Sequence, residues 1–232
     1  MKQIALDIGV SVRPSLVNFF AGDNEAALAH LSLWLSGSTR APVPTYLWGV
    51  SGCGKTHLLQ AVAQHVQDHG GQWGWMDPSI EQPPVFSPAW RVVLLDDVQS
   101  YSAVQQHTAF NWFVNAVTPG LANQPWLLAA GTLPPSDLPL REDLRTRLGW
   151  GHVFQLKVLD EAQRRAVLRQ QAEARGVFLK DEVMDYILNR FSRDLGSLMG
   201  LLDQLDQYAL REQRGISIPL IKSMLSDDIE TS

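Results

Sequence analysis

The chain has 232 residues, 45% of them hydrophobic and 19% charged, with a formal net charge of −5. That is enough apolar material for one large or two small cores, and the wrong sign for a wide electrostatic grip on nucleic acid, so no sequence-specific DNA binding is expected. The single cysteine excludes a disulfide framework, the histidines have no metal-ligand spacing for zinc, no apolar run approaches the ~20 residues of a membrane span, and Met1-Lys2-Gln3 does not open a signal peptide. A cytoplasmic protein without a membrane association is therefore expected.

The first dozen residues have no evident place in a core. Within them Gln3-Ile4-Ala5-Leu6-Asp7-Ile8 follows a glutamine with alternating aliphatic side chains. An edge strand has this pattern, and so does an extended peptide that feeds alternate side chains into a partner's pocket. A turn-rich stretch over 18–24 leads into a helix predicted over 25–35, and 36–44 reads as a loop. Thr45–Trp48 is a short buried strand. It runs into Gly49-Val50-Ser51-Gly52-Cys53-Gly54-Lys55-Thr56, which satisfies every fixed position of the phosphate-binding loop pattern. A helix over 57–69 follows, with apolar residues at 58, 59, 62 and 66.

Gln72–Met76 is a second predicted strand, and 77–88, with four prolines, a connection. Val92-Val93-Leu94-Leu95 is a continuous apolar run ending in Asp96-Asp97, as in a central parallel strand covered on both faces. Ala103–Val117 has a helical pattern, and 126–130 and 153–156 complete the strands. Strands alternating with helices imply an α/β fold with a parallel sheet. After residue 157 the pattern is purely helical, over 160–175, 181–191, Leu195–Glu212 and 219–225.

These elements carry recognisable chemistry. The loop glycines, Gly49, Gly52 and Gly54, let successive backbone N–H groups turn inward onto phosphate oxygens. Lys55 supplies a charge for the β- and γ-phosphates, and Thr56 a hydroxyl for Mg²⁺. The helix that follows puts its N-terminus at the phosphates. Asp96 is the metal-side carboxylate, and Asp97 stands where it can orient or polarise the attacking water. The alternative is a pair of solvated turn carboxylates. The aromatic residues, eight tryptophans among them, fall mostly at helix and strand positions and read as core.

The phosphate loop with His57-Leu58-Leu59, then Leu94-Leu95-Asp96-Asp97-Val98-Gln99, and Arg147-Leu148-Gly149-Trp150-Gly151 resemble the bacterial replication initiator DnaA, an AAA+ ATPase, from about residue 19 to 225. No counterpart of the initiator's DNA-reading helix-turn-helix domain is expected. An initiator-like AAA+ module with a short N-terminal tail resembles the Hda family, regulatory inactivators of DnaA. The resemblance implies a tail over 1–17, an AAA+ nucleotide-binding domain over 18–157 and a helical lid over 158–232. It also implies ADP or ATP with Mg²⁺ as ligands, and DnaA and the DNA polymerase III beta sliding clamp as partners, with a homodimer as a further assembly.

The resemblance assigns roles residue by residue. Gln3, Ile4, Leu6 and Ile8 would form the clamp-binding peptide. Arg147 would be an arginine finger acting in trans, where the bland alternative is a surface arginine paired with Asp143 or Glu142. Arg193 would be the sensor 2 arginine on the same chain's phosphates, or else a solvent-facing residue at a helix start. Asn24 lies in the segment that contacts adenine. At the sensor 1 position the initiator's acidic residue is replaced by Thr132, whose hydroxyl carries no charge, so weak hydrolysis of the chain's own nucleotide is expected. The implied function is negative regulation of initiation by stimulating hydrolysis of initiator-bound ATP. The alternative is an autonomous AAA+ ATPase acting as a helicase loader or remodeller.

Overall fold

Five strands form one sheet: β1 (Thr45–Trp48), β2 (Gln72–Met76), β3 (Trp90–Leu95), β4 (Trp126–Gly131) and β5 (His152–Gln155). The computed structural model describes residues 13–37, 43–117, 124–191 and 195–230. The spatial order is β2-β3-β4-β1-β5, and every neighbouring pair is parallel. The α/β fold with a parallel sheet, expected from alternating strand and helix patterns, is what the chain forms.

Successive side chains in a strand point to opposite faces, so an unbroken apolar run requires cover on both sides. In β3 and β4 the register pairs Leu94 with Leu128 and Leu95 with Ala129. Leu94, Leu128, Val92 and Leu47 pack with Leu31 of α1 (Glu25–Ser36) and Leu58, Leu59 and Val62 of α2 (Lys55–Asp68). Leu95, Ala129, Val93 and Tyr46 face the other way. They pack with Trp112 and Phe113 of α3 (Ala103–Val117) and Leu144 and Leu148 of α4 (Glu142–Leu148). Full burial of each such side chain contributes about 1.5–3 kcal/mol, and the sheet has a core on each of its two faces.

One boundary differs from the sequence reading in a way that matters for the site, and another helix runs longer than expected. The loop helix begins at Lys55 rather than at 57, because Gly54 takes the left-handed conformation and acts as its N-cap. Lys55 and Thr56 are thus its first turn, where backbone N–H groups have no intrahelical partner. The final helix extends beyond 225, since no breaker stands between Ser226 and Glu230.

The chain divides into two compact units, with the change between Val158 and Leu159. Beyond it, α5 (Glu161–Ala174), α6 (Asp181–Arg190), α7 (Leu195–Glu212) and α8 (Ile218–Glu230) enclose a core of their own around Leu168, Met184, Ile187, Leu201, Leu205 and Ile221. A capping box opens α5: Gln163 N donates to the Asp160 carboxylate at 2.7 Å, and Asp160 N to the Gln163 side chain at 2.9 Å. Among the described residues no helix is long and apolar enough to cross a membrane.

Candidate functional site

All five strands run the same way, so the segments following β1, β3 and β4 leave the sheet at one edge. In open α/β sheets that carboxyl edge is where ligands bind. The structure brings together there the loop 49–54, Asp96 and Asp97, and Thr132. A backbone hydrogen bond ties the loop to the end of β4, one residue before Thr132: Gly49 N donates to Gly131 O at 3.2 Å.

The loop has the backbone that a phosphate cradle needs. Gly52 and Gly54 have φ of 81° and 92°, the region that costs a side-chain-bearing residue roughly 1–2 kcal/mol. Gly54 is constrained twice, since a Cβ there would lie 2.6 Å from the Phe19 ring. Phe19 belongs to a segment laid over α2, which His57 holds at 3.0 Å from Asn18 Oδ1 and 3.2 Å from Ser15 O. Lys55 is buried, its ammonium donating to the Gly49 and Val50 carbonyls at 2.8 and 3.2 Å.

Thr56 Oγ1 donates to Asp96 Oδ2 at 2.6 Å. Asp96 is 4% exposed. Burial holds its carboxyl above the ordinary range and the charge of Asp97 adds to this, while the Thr56 hydroxyl opposes it. A desolvated carboxylate oxygen beside a hydroxyl is a donor pair that suits a hard divalent cation. Among the described residues there is no cluster of three or more His, Cys, Asp or Glu side chains that could cage a metal. Thr56 and Asp96 would therefore hold Mg²⁺ together with nucleotide phosphates and water, supplying charge neutralisation there. The residues present fit a nucleotide phosphate chain with its magnesium.

Asp97 has φ 47° and ψ 44°, a left-handed backbone uncommon outside glycine and tolerated by aspartate. Its carboxylate accepts from Gln99 Nε2 at 3.2 Å, and the same side chain's Oε1 accepts from Thr132 N at 3.0 Å. Gln99 thus ties Asp97 to Thr132 across the ends of two adjacent strands. The sequence reading gave no role to Gln99 or Phe19. Both act through contacts 33 or more residues away in the chain, which local patterns do not encode.

The other predicted residues lie elsewhere or outside the described residues. Asn24 is buried, and each end of its carboxamide is bonded to backbone: Nδ2 donates to Lys157 O at 2.9 Å and Oδ1 accepts from Lys157 N at 2.8 Å. Its side chain fastens the segment before α1 to the end of the sheet. Arg147 lies on α4, over the sheet face opposite α2, with its guanidinium 5.0 Å from the Phe110 ring centroid and 5.4 Å from that of Phe113. Among the described residues no carboxylate lies within ion-pair distance of it. Asp143 pairs instead with Arg141, at 2.7 Å. Gln3, Ile4, Leu6, Ile8 and Arg193 lie outside the described residues. Of the tryptophans read as core, Trp150 is the exception at 61% exposed.

Residues 160–225 match the family model described as Hda, lid domain. Over 235 aligned residues the chain is 32% identical to an uncharacterized protein of Haemophilus influenzae, covering 97% of this chain and 99% of that protein. Its fold is similar to domain III of the Thermotoga maritima replication initiation protein DnaA, with TM-score 0.65 and 20% identity, covering 94% of this chain and 98% of that one. It is also similar to AMPPCP-bound DnaA from Aquifex aeolicus, with TM-score 0.65 and 21% identity over 87% of this chain and 74% of that one. The parallel sheet with its phosphate loop and the four-helix unit after residue 158 are the AAA+ base and lid of this group, and the chain belongs to the Hda family.

Proposed function

We propose that this protein is a negative regulator of replication initiation that binds an adenine nucleotide and stimulates hydrolysis of ATP held by DnaA. The loop 49–56 would hold the phosphates, with Mg²⁺ between Thr56 and Asp96 and with Asp97 and Thr132 at the γ-phosphate end. An AMPPCP complex of a structurally similar initiator supports an adenine nucleotide as the ligand. With both polar ends of Asn24 occupied by Lys157, contact of this segment with the base would come from backbone and neighbouring side chains. Gln3, Ile4, Leu6 and Ile8 would dock on the sliding clamp, raising local concentration where replication is under way. Arg193 would report the state of the chain's own nucleotide to the lid.

The observation that carries the reading is Arg147. It stands on α4 immediately before Leu148-Gly149-Trp150-Gly151, against the rings of Phe110 and Phe113 and without an anionic partner among the described residues. In a head-to-tail pair of AAA+ subunits that position faces the neighbour's nucleotide. An arginine delivered there stabilises charge on the transferred phosphoryl group, an effect worth about 10³- to 10⁵-fold in rate. Thr132 offers a hydroxyl where a charged sensor would stand, so the chain's own hydrolysis would be weak.

The test loads DnaA with radiolabelled ATP and follows hydrolysis with DNA-loaded clamp and nucleotide present, comparing this protein with Arg147→Ala. Stimulation that drops by at least ~10³-fold in the variant, with its fold and clamp binding intact, supports the finger. Full stimulation by the variant overturns it. No stimulation by either protein, with clamp binding intact, points to an independent ATPase or loader.

A further inference from the structure

Arg147 is half-buried and is held by aromatic rings. Its guanidinium sits over two rings of α3, Phe110 at 5.0 Å and Phe113 at 5.4 Å. The two rings are three residues apart, so they stack along one face of the helix. Phe113 is fully buried in the core, whereas Phe110 is half-buried at its margin. From the other side α4 fixes the backbone: Leu144 and Leu148 are buried, and Arg147 O accepts from Trp150 N at 3.2 Å. The stem of Arg147 is therefore anchored at a rigid element, and its charged head rests on aromatic faces.

Arg141 shows that the arrangement is selective. Its guanidinium also approaches the Phe110 ring, at 5.6 Å, but it is bonded to Asp143 at 2.7 Å and lies 3.4 Å from His107 Nδ1. Asp143 and His107 thus hold the neighbouring arginine, and Arg147 is left with rings. An ion pair would have to be broken, with the loss of a charge-assisted hydrogen bond, before the arginine could meet a phosphate. A ring face orients a guanidinium while leaving its five N–H donors available.

We infer that Phe110 is a positioning residue for Arg147, a shelf that holds the guanidinium in reach of a partner's phosphates while keeping its donors unspent. This deepens the reading of Arg147 as an arginine finger and rests on it. The shelf confines the long side chain to a narrow set of directions before the partner arrives, so less rotamer freedom is lost on engagement. It acts on the rate within the complex, since Phe110 itself does not touch the nucleotide.

The experiment uses the full chain with ATP-loaded DnaA and DNA-loaded clamp, titrating the protein to saturation. Phe110→Leu keeps apolar bulk but removes the ring; Phe110→Tyr keeps the ring. For Phe110→Leu the maximal stimulated rate is expected to fall about five- to tenfold, with the half-saturating concentration unchanged within about twofold. Phe110→Tyr is expected to stay near the unaltered rate. Thermal melting and nucleotide binding check that both variants are folded. Phe110→Leu at full maximal rate, with Arg147→Ala inactive, overturns the shelf and leaves the finger standing. A shift in half-saturating concentration alone makes Phe110 a docking contact and also overturns it. Full stimulation by Arg147→Ala overturns the finger, and the shelf with it.

Discussion

At Gly54 a backbone requirement and a packing requirement coincide. The left-handed φ of 92° penalises any side chain, and the Phe19 ring occupies the space a Cβ would take. Gly54→Ala is expected to weaken nucleotide binding at least about tenfold, from roughly 1–2 kcal/mol of backbone strain compounded by displacement of the ring. The double variant with Phe19→Ala separates the two: affinity measured by calorimetry is expected to recover in part, because the collision goes and the strain stays. No recovery would mean that the Phe19 contact is immaterial. The loop itself was readable from residues 49–56, whose spacing is dictated by a local turn. Phe19, Gln99 and Phe110 were not, because each matters through a partner distant in sequence: the ring on Gly54, the amide bridging Asp97 and Thr132, the face beneath Arg147.

Among the elements, β3 and β4 were the most legible, since an apolar run without alternation has no stable place except between two covered faces. The edges were harder. β5 has exposed residues along most of its length, and its first residue, His152, was left out of the predicted strand. That edge carries a titratable pair. His30 on α1 lies with its ring 4.5 Å from that of His152 and its Nε2 2.9 Å from Thr45 Oγ1. Burial, and next the charge of His152, hold His30 below its ordinary value of 6.5. The unfolded chain therefore takes up a proton there first as the pH falls. The stability that depends on neutral His30 is fully present above pH 6.5 and is lost as the pH falls from there through the folded value. Melting at pH 7.5 and 5.5 is expected to show a larger drop for the unaltered protein than for His30→Gln. Equal drops would remove His30 as a source of the acid sensitivity.

At the scale of the whole molecule, the helical unit has the components of an independent fold. Among the described residues its core draws on positions between 168 and 224. Arg175 meets Asp203 at 2.8 Å with both side chains mostly covered, joining the end of α5 to α7, and Arg169 meets Asp181 at 2.6 Å between α5 and α6. A core in a unit this small supplies at most about 3–5 kcal/mol, so the fragment 159–232 is expected to be helical with a cooperative but low thermal transition. A helical signal without a cooperative transition, or no helical signal, would show that this core needs the rest of the chain. The four helices were evident from their 3.6-residue pattern. The start of α5 was placed to within one residue, the structure making Asp160 its N-cap.

Trp150 gives the protein a built-in optical probe. The other seven tryptophans are buried or half-buried, and Trp150 alone stands exposed, three residues from Arg147. A collisional quencher in solution, such as iodide, therefore samples chiefly this one indole. Any macromolecule that covers the Arg147 edge of α4 shields it, and the accessible fraction of the emission falls in proportion to occupancy. Phe in place of Trp150 supplies the blank. Contact at this edge can thus be followed without attaching a dye and without waiting for a phosphate to be released.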